Sequence, residues 1–163
     1  MRVLGIDPGT RKTGWGVVEK RGTRLVAIAS GTIKASAKKP LQERLFIIHN
    51  GLSKVLQEYE PAVVALEDIF FAKYANAAMK LGHARGVAML ACSQADRIVH
   101  AYPPALVKRT VAGKGNAPKE QVGRLVGALL GLRVLPDEDA CDALAIAITH
   151  LQASAVPSRM KRR

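Results

Sequence analysis

Four acids in this sequence stand where an acid is costly without a partner. The run Val3-Leu4-Gly5-Ile6 has no polar face and suits a strand buried on both sides. It stops at Asp7, and Pro8-Gly9 turns the chain. Ala62 to Leu66 is a second wholly apolar run, and it too ends in acid, at Glu67 and Asp68. If these strands are parallel neighbours, Asp7 and Glu67 leave the sheet at one edge, where ligands of open α/β sheets commonly bind. Asp139 and Asp142 lie three apart at the start of the last helical stretch and share a face. Asp142 is flanked by Cys141, Ala143 and Leu144, and an acid on an apolar helix face needs a partner. A cation shared by the four carboxylates would supply one. Oxygen donors suit Mg²⁺, and two such ions roughly 4 Å apart can activate a water and stabilise the leaving oxygen of a phosphoryl displacement. Without metal the acids repel one another, and some hold protons near neutral pH.

Each acid also has a plainer reading. Asp7 can open an Asx-turn over Pro8-Gly9. Asp137 can cap the last helix and Glu138 can serve its dipole; that covers Asp139 in part and Asp142 poorly. Asp68 points away from Glu67 along a strand and is read as a surface residue. His49, His83, His100 and His150 share no ligand spacing and are read as surface or packing residues.

The elements that must position these acids follow from periodicity. Strands are expected at Gly14–Lys20 and Arg24–Lys34, joined by a turn at Arg21-Gly22-Thr23, with Leu25, Ala27 and Ala29 on one side. Leu41, Leu45, Ile48, Leu52 and Tyr59 repeat at helical spacing after Pro40, expected as the first residue of the helix, and before Pro61. A long helix over about Asn76–Ala95 is rich in Gly and Ala. Its Gly82 and Gly86, four apart, suggest close helix approach, either inside the chain or at a dimer seam. A fifth strand is expected at Arg97–Ala101, a short helix at Ala105–Val111, a basic loop at Gly113–Asn116, and helices at Lys119–Leu130 and Glu138–Gln152. Three antiparallel strands followed by two that return through helices predict a mixed five-stranded sheet in one α/β domain over residues 1–156. The basic tail, residues 157–163, is expected to be disordered.

The chain carries 25 Lys+Arg against 13 Asp+Glu, a formal charge of +12, which favours a polyanionic partner such as nucleic acid. Cys92 and Cys141 have neither disulfide nor metal spacing and fit a reducing cytoplasm. No signal peptide and no bilayer-spanning apolar run is seen, so no membrane association is expected.

The chain resembles the RuvC family of bacterial Holliday-junction resolvases over essentially its full length. The resemblance is carried by Leu4-Gly5-Ile6-Asp7-Pro8-Gly9, by Leu66-Glu67 with Phe70, by Leu81-Gly82 and Ala84-Arg85-Gly86-Val87, by Pro118-Lys119 before a helix, and by Asp139-Ala140-Cys141-Asp142-Ala143-Leu144-Ala145. It implies a ribonuclease H-like fold and an endonuclease making paired, symmetric nicks in a four-way DNA junction. It implies Asp7, Glu67, Asp139 and Asp142 as catalytic metal ligands, for two Mg²⁺ ions with Mn²⁺ as a substitute. It implies that Lys108 and Lys119 contact the scissile region, with Lys119 among the catalytic residues, and that Phe70 holds opened bases. As partners it implies a second copy of the chain and the RuvA–RuvB branch-migration complex. Cys141 stands where Ala is usual in the family, and Asp68 where an uncharged residue or Glu is more usual.

Three other readings compete. A sugar-kinase or actin-like ATPase shares the acid-x-Gly-Thr turn but needs a second lobe, for which 163 residues leave no room. A non-catalytic nucleic-acid module explains the charge and leaves the acids unexplained. The RuvC-like nucleases of ribosomal RNA processing tend to be shorter and lack Pro8.

Overall fold

A computed structural model describes residues 1–68 and 75–154. The elements are β1 (Arg2–Asp7), β2 (Lys12–Arg21), β3 (Arg24–Lys34), α1 (Leu41–Tyr59), β4 (Val63–Glu67), α2 (Ala75–Gln94), β5 (Val99–Tyr102), α3 (Pro104–Ala112), α4 (Lys119–Leu130) and α5 (Glu138–Ala153). Phe70, the domain boundary at residue 156 and the tail lie outside the described residues.

The sheet order is β3-β2-β1-β4-β5. β1 pairs antiparallel with β2 and parallel with β4, and β4 runs parallel to β5. The expected mixed sheet is therefore the observed one. Alternation along β1 and β4 divides two cores. Leu4, Ile6, Val64 and Leu66 face α1 and α2, while Val3, Val63 and Ala65 face α3, α4 and α5.

Prolines set three helix starts, because fixed φ and a missing N–H cost nothing there. Pro40, Pro103 and Pro118 are the N-cap residues of α1, α3 and α4, one place earlier than the first helical turn expected for Pro40. α5 is capped differently: Asp137 accepts a hydrogen bond from the Ala140 amide at 3.0 Å.

Two local expectations are corrected. In β3 the register slips opposite Val17/Val18, so Ala27 pairs with Val18, Ala29 pairs with Val17, and Ile28 is the extra residue. Directly paired residues share a face. Ala29 therefore lies on the opposite face from Leu25 and Ala27, and Ile28 packs with the α1/α2 core. The fifth strand begins at Val99 because the Arg97 amide is held by the Cys92 carbonyl at 2.9 Å, closing the end of α2.

Candidate active site

Asp7 and Glu67 are next in register after the parallel pair Ile6–Leu66, so both stand at the same edge of the sheet. Alternation turns both toward the α3/α4/α5 face, the side opposite Ile6 and Leu66. Asp68 turns the other way, onto Arg85 of α2 at 3.1 Å. Its reading as a surface ion pair, not a member of the acid group, agrees with this geometry.

The helix acids reach the strand acids because α5 lies unusually close to the sheet. A Cβ at Gly5 would overlap the Ala143 carbonyl oxygen, and one at Gly14 would overlap the Asp139 carbonyl oxygen. A Cβ at Gly16 would stand 2.7 Å from the Leu144 side chain. Three glycines on one sheet face thus form the bed of α5 and fix the height of Asp139 and Asp142 above Asp7. Thr13, fully buried, steadies the turn after Asp7: its hydroxyl donates to the Gly9 carbonyl at 2.9 Å and accepts from the Gly9 amide at 3.3 Å.

Asp7, Glu67, Asp142, Lys108 and Lys119 line one cleft of about 260 Å³, walled by Val107, Val122 and Ile146. The acids there are electrostatically unfavourable. Burial, then the charges of Glu67 and Asp142, push the Asp7 carboxyl up to about 8. Burial also raises Glu67, opposed by a hydrogen bond from Asp7 and by Lys119 and Lys108. Burial raises Asp142 against the pull of Lys119. A proton held on Asp7 thus lessens repulsion in the cleft, a task a cation would do better.

Asp139 lies at the rim, 3.8 Å from the Lys12 ammonium. Asp142 is 3.4 Å from Lys119, which also meets Glu138 at 2.7 Å. Hydrogen bonding to Glu138 is the main cause that raises the Lys119 ammonium above its usual range. Among the described residues no three of His, Cys, Asp or Glu converge at metal-ligating separation. The donor chemistry nevertheless fits a hard divalent ion: carboxylate oxygens only, mutually repelling, with no thiolate or imidazole among them.

The RuvC family model, described as crossover junction endodeoxyribonuclease RuvC, matches residues 3–150. The RuvC of Rhodopseudomonas palustris (strain BisA53) is 48% identical over 161 residues, covering 99% of this chain and 92% of that protein. The chain belongs to the RuvC family. Thermus thermophilus RuvC, solved in complex with a Holliday junction substrate, is 38% identical with a TM-score of 0.89, covering 94% of each chain. The yeast mitochondrial resolvase Ydc2, at 12% identity and TM-score 0.65 over 90% of this chain and 76% of that one, shares the fold. The protein is thus a crossover junction endodeoxyribonuclease with a ribonuclease H-like fold.

On this RuvC scaffold the structure brings Asp7, Glu67, Asp142, Lys108 and Lys119 to one cleft and places Asp139 beside it. Phe70 lies outside the described residues. The histidine reading agrees with the structure at two positions. Half-buried His49 shares a hydrogen bond with Gln94 at 2.7 Å, and buried His150 shares one with the Tyr102 hydroxyl at 2.8 Å. Sequence reasoning missed Gly5, Gly14, Gly16, Thr13, Lys12 and the bond from Lys119 to Glu138. The alternation of glycines in β2 (Gly14, Gly16) was a signal for a close-lying helix.

Proposed function

We propose that this endonuclease resolves four-way DNA junctions at the cleft lined by Asp7, Glu67 and Asp142, with Asp139 completing the ligand set. The observation that carries this reading is the burial of mutually repelling carboxylates at one sheet edge of a protein with charge +12. In this reading Asp7, Glu67, Asp139 and Asp142 would hold two Mg²⁺ ions, or Mn²⁺ in their place, which would supply activation of a water and charge neutralisation at the leaving oxygen. The backbones that carry Asp7 and Glu67 are fixed by the sheet, and those of Asp139 and Asp142 by the glycine-bedded helix, so side-chain movement alone would bring the four carboxylates around an arriving ion. Lys119, on the first turn of α4 and lining the cleft, would hold a non-bridging phosphate oxygen as DNA enters. Lys108, half-buried in the same cleft, holds a neighbouring phosphate. Phe70, by the family resemblance, stacks on bases opened at the crossover.

A second copy of the chain belongs to this reading, because resolution needs two symmetric nicks and each chain supplies one cleft. The support is α2. Its inner face packs Ala84, Ala88, Ala91 and Cys92 into the core, while Met79 and Leu90 are 62% and 52% exposed on the opposite face. Gly82 and Gly86 lie on that outer face with nothing within 4 Å of a Cβ, so they serve no packing contact among the described residues. That favours the dimer seam over the internal contact. The RuvA–RuvB complex as partner rests on the resemblance alone. Among the described residues no helix is long and apolar enough to cross a membrane. A cytoplasmic location suits Cys92 and Cys141, both buried free thiols.

The test is cleavage of a mobile four-way junction beside a linear duplex and a structured RNA of equal length, with Mg²⁺. Paired cuts in opposing strands of the junction alone are expected. Preferential RNA cleavage would move the chain's activity to the ribosomal RNA nucleases.

A further inference from the structure

Glu138 is absorbed by none of the roles above. Its plainest task is to stand in the first turn of α5 and serve the helix dipole, yet its side chain is committed elsewhere. Its Oε1 meets the Lys119 ammonium at 2.7 Å, at the short end for a charged hydrogen bond. The same ammonium stands 3.4 Å from Asp142 Oδ2, outside good hydrogen-bond length. Glu138 and Asp142 are one turn apart on the same face of α5, so one ammonium faces two carboxylates and sits with the outer one. The outer carboxylate is the more exposed: the Glu138 side chain is 66% exposed and Asp142 27%.

We propose that Glu138 is a positioning residue: it draws the Lys119 ammonium outward from Asp142, keeping that carboxylate available to a divalent cation and Lys119 available to DNA. This rests on the reading of Asp142 as a metal ligand. Without the Glu138 carboxylate, Asp142 is the remaining anion in hydrogen-bonding reach of Lys119 among the described residues. The ammonium then closes on Asp142, and an arriving cation must displace it. Glu138 therefore acts through reach, not through its field alone.

Reach and field are separable. Glu138→Gln removes the charge; Glu138→Asp keeps the charge and the helix-dipole role but shortens the arm. The experiment is calorimetric titration of Mn²⁺ into the DNA-free protein, which reads binding without turnover. Both variants are expected to raise the Mn²⁺ Kd about two- to fivefold, the range of a partly exposed ion pair. Lys119→Met is expected to tighten Mn²⁺ binding, although Lys119 serves cleavage. In the Lys119→Met background, Glu138→Gln is expected to change the Kd no further. Wild-type affinity in Glu138→Asp, no change in Glu138→Gln, or an equal loss in the Lys119→Met background would each overturn the proposal. Wild-type Mn²⁺ affinity in Asp142→Asn would instead overturn the ligand reading beneath it.

Discussion

Gly5→Ala tests how the site is assembled, because it leaves every acid and lysine in place. A Cβ there would overlap the Ala143 carbonyl oxygen and stand 2.8 Å from the Ala147 amide nitrogen. Both obstacles are backbone, on a central strand and on a helix whose residues from Ala143 to Leu151 are all buried, so no side chain can swing aside. α5 must lift by on the order of 1 Å to restore ordinary contact. Overpacking of this kind costs about 1–3 kcal/mol, and two rigid backbones put it at the upper end. For a chain of this size that lowers Tm by roughly 6–12 °C. The same lift carries Asp139 and Asp142 away from Asp7 and Glu67, and misplacement on that scale costs about 100-fold in rate. The assays are urea denaturation and single-turnover cleavage of saturated junction, at a temperature where the variant is folded. Gly123→Ala is the control. It lies inside α4 with open space around a Cβ, so Ala should add up to about 1 kcal/mol of stability. Unchanged stability in Gly5→Ala would refute the close seating of α5. Lost stability with an unchanged single-turnover rate would refute the claim that this seating positions the acids.

Other predictions follow from the cleft and from α2. The metal-free protein should lose stability as pH rises from about 4 toward 8, since folded Asp7 keeps a proton that the unfolded chain sheds near 3.8. The slope is up to about 1.4 kcal/mol per pH unit. Asp7→Asn should flatten it and raise Tm at pH 7, read by melts in chelator across that range. Lys108→Ala should reduce the log–log salt slope of junction binding by about 0.9, one phosphate's share, in an anisotropy titration. Lys119→Ala should lower the saturated single-turnover rate more than binding; unchanged rate would make it a plain backbone contact. Gly82→Leu should turn a dimer into monomer by sedimentation and leave unpaired single nicks in a cruciform plasmid; a variant that stays dimeric with paired cuts places the seam elsewhere.

What was legible in the sequence was local and covalent in origin. Apolar runs ending in acid located β1 and β4, prolines marked the starts of α1 and α4, and the spacing of Asp139 and Asp142 put them on one helix face. The Ile28 bulge was not legible, because Leu25, Ala27 and Ala29 keep perfect alternation in sequence while the pairing with β2 breaks it. The start of β5 depended on a hydrogen bond from the Arg97 amide back to α2, which composition does not encode. Gly82 and Gly86 were ambiguous in sequence, and only the packing of Ala84 and Ala88 on the other face shows which side of α2 they occupy. Within the site, the acids could be read from where they interrupt apolar runs. Their ion-pair partners could not: Lys12 and Glu138 are exposed and follow no periodicity, and Lys119 stood out only through the family resemblance.

The central claim is that Asp7, Glu67, Asp139 and Asp142 form one metal-dependent cutting site. The direct measurement is single-turnover cleavage of a saturated four-way junction, across a Mg²⁺ titration, by the four charge-removing variants Asp7→Asn, Glu67→Gln, Asp139→Asn and Asp142→Asn. Asp68→Asn, which removes the charge paired with Arg85 and faces away from the cleft, serves as the internal control. Each of the four is expected to bind junction yet lose cleavage at every Mg²⁺ concentration at which wild type cuts, while Asp68→Asn cuts at close to the wild-type rate. Substantial cleavage at ordinary Mg²⁺ by any one of the four would contradict its place in the site.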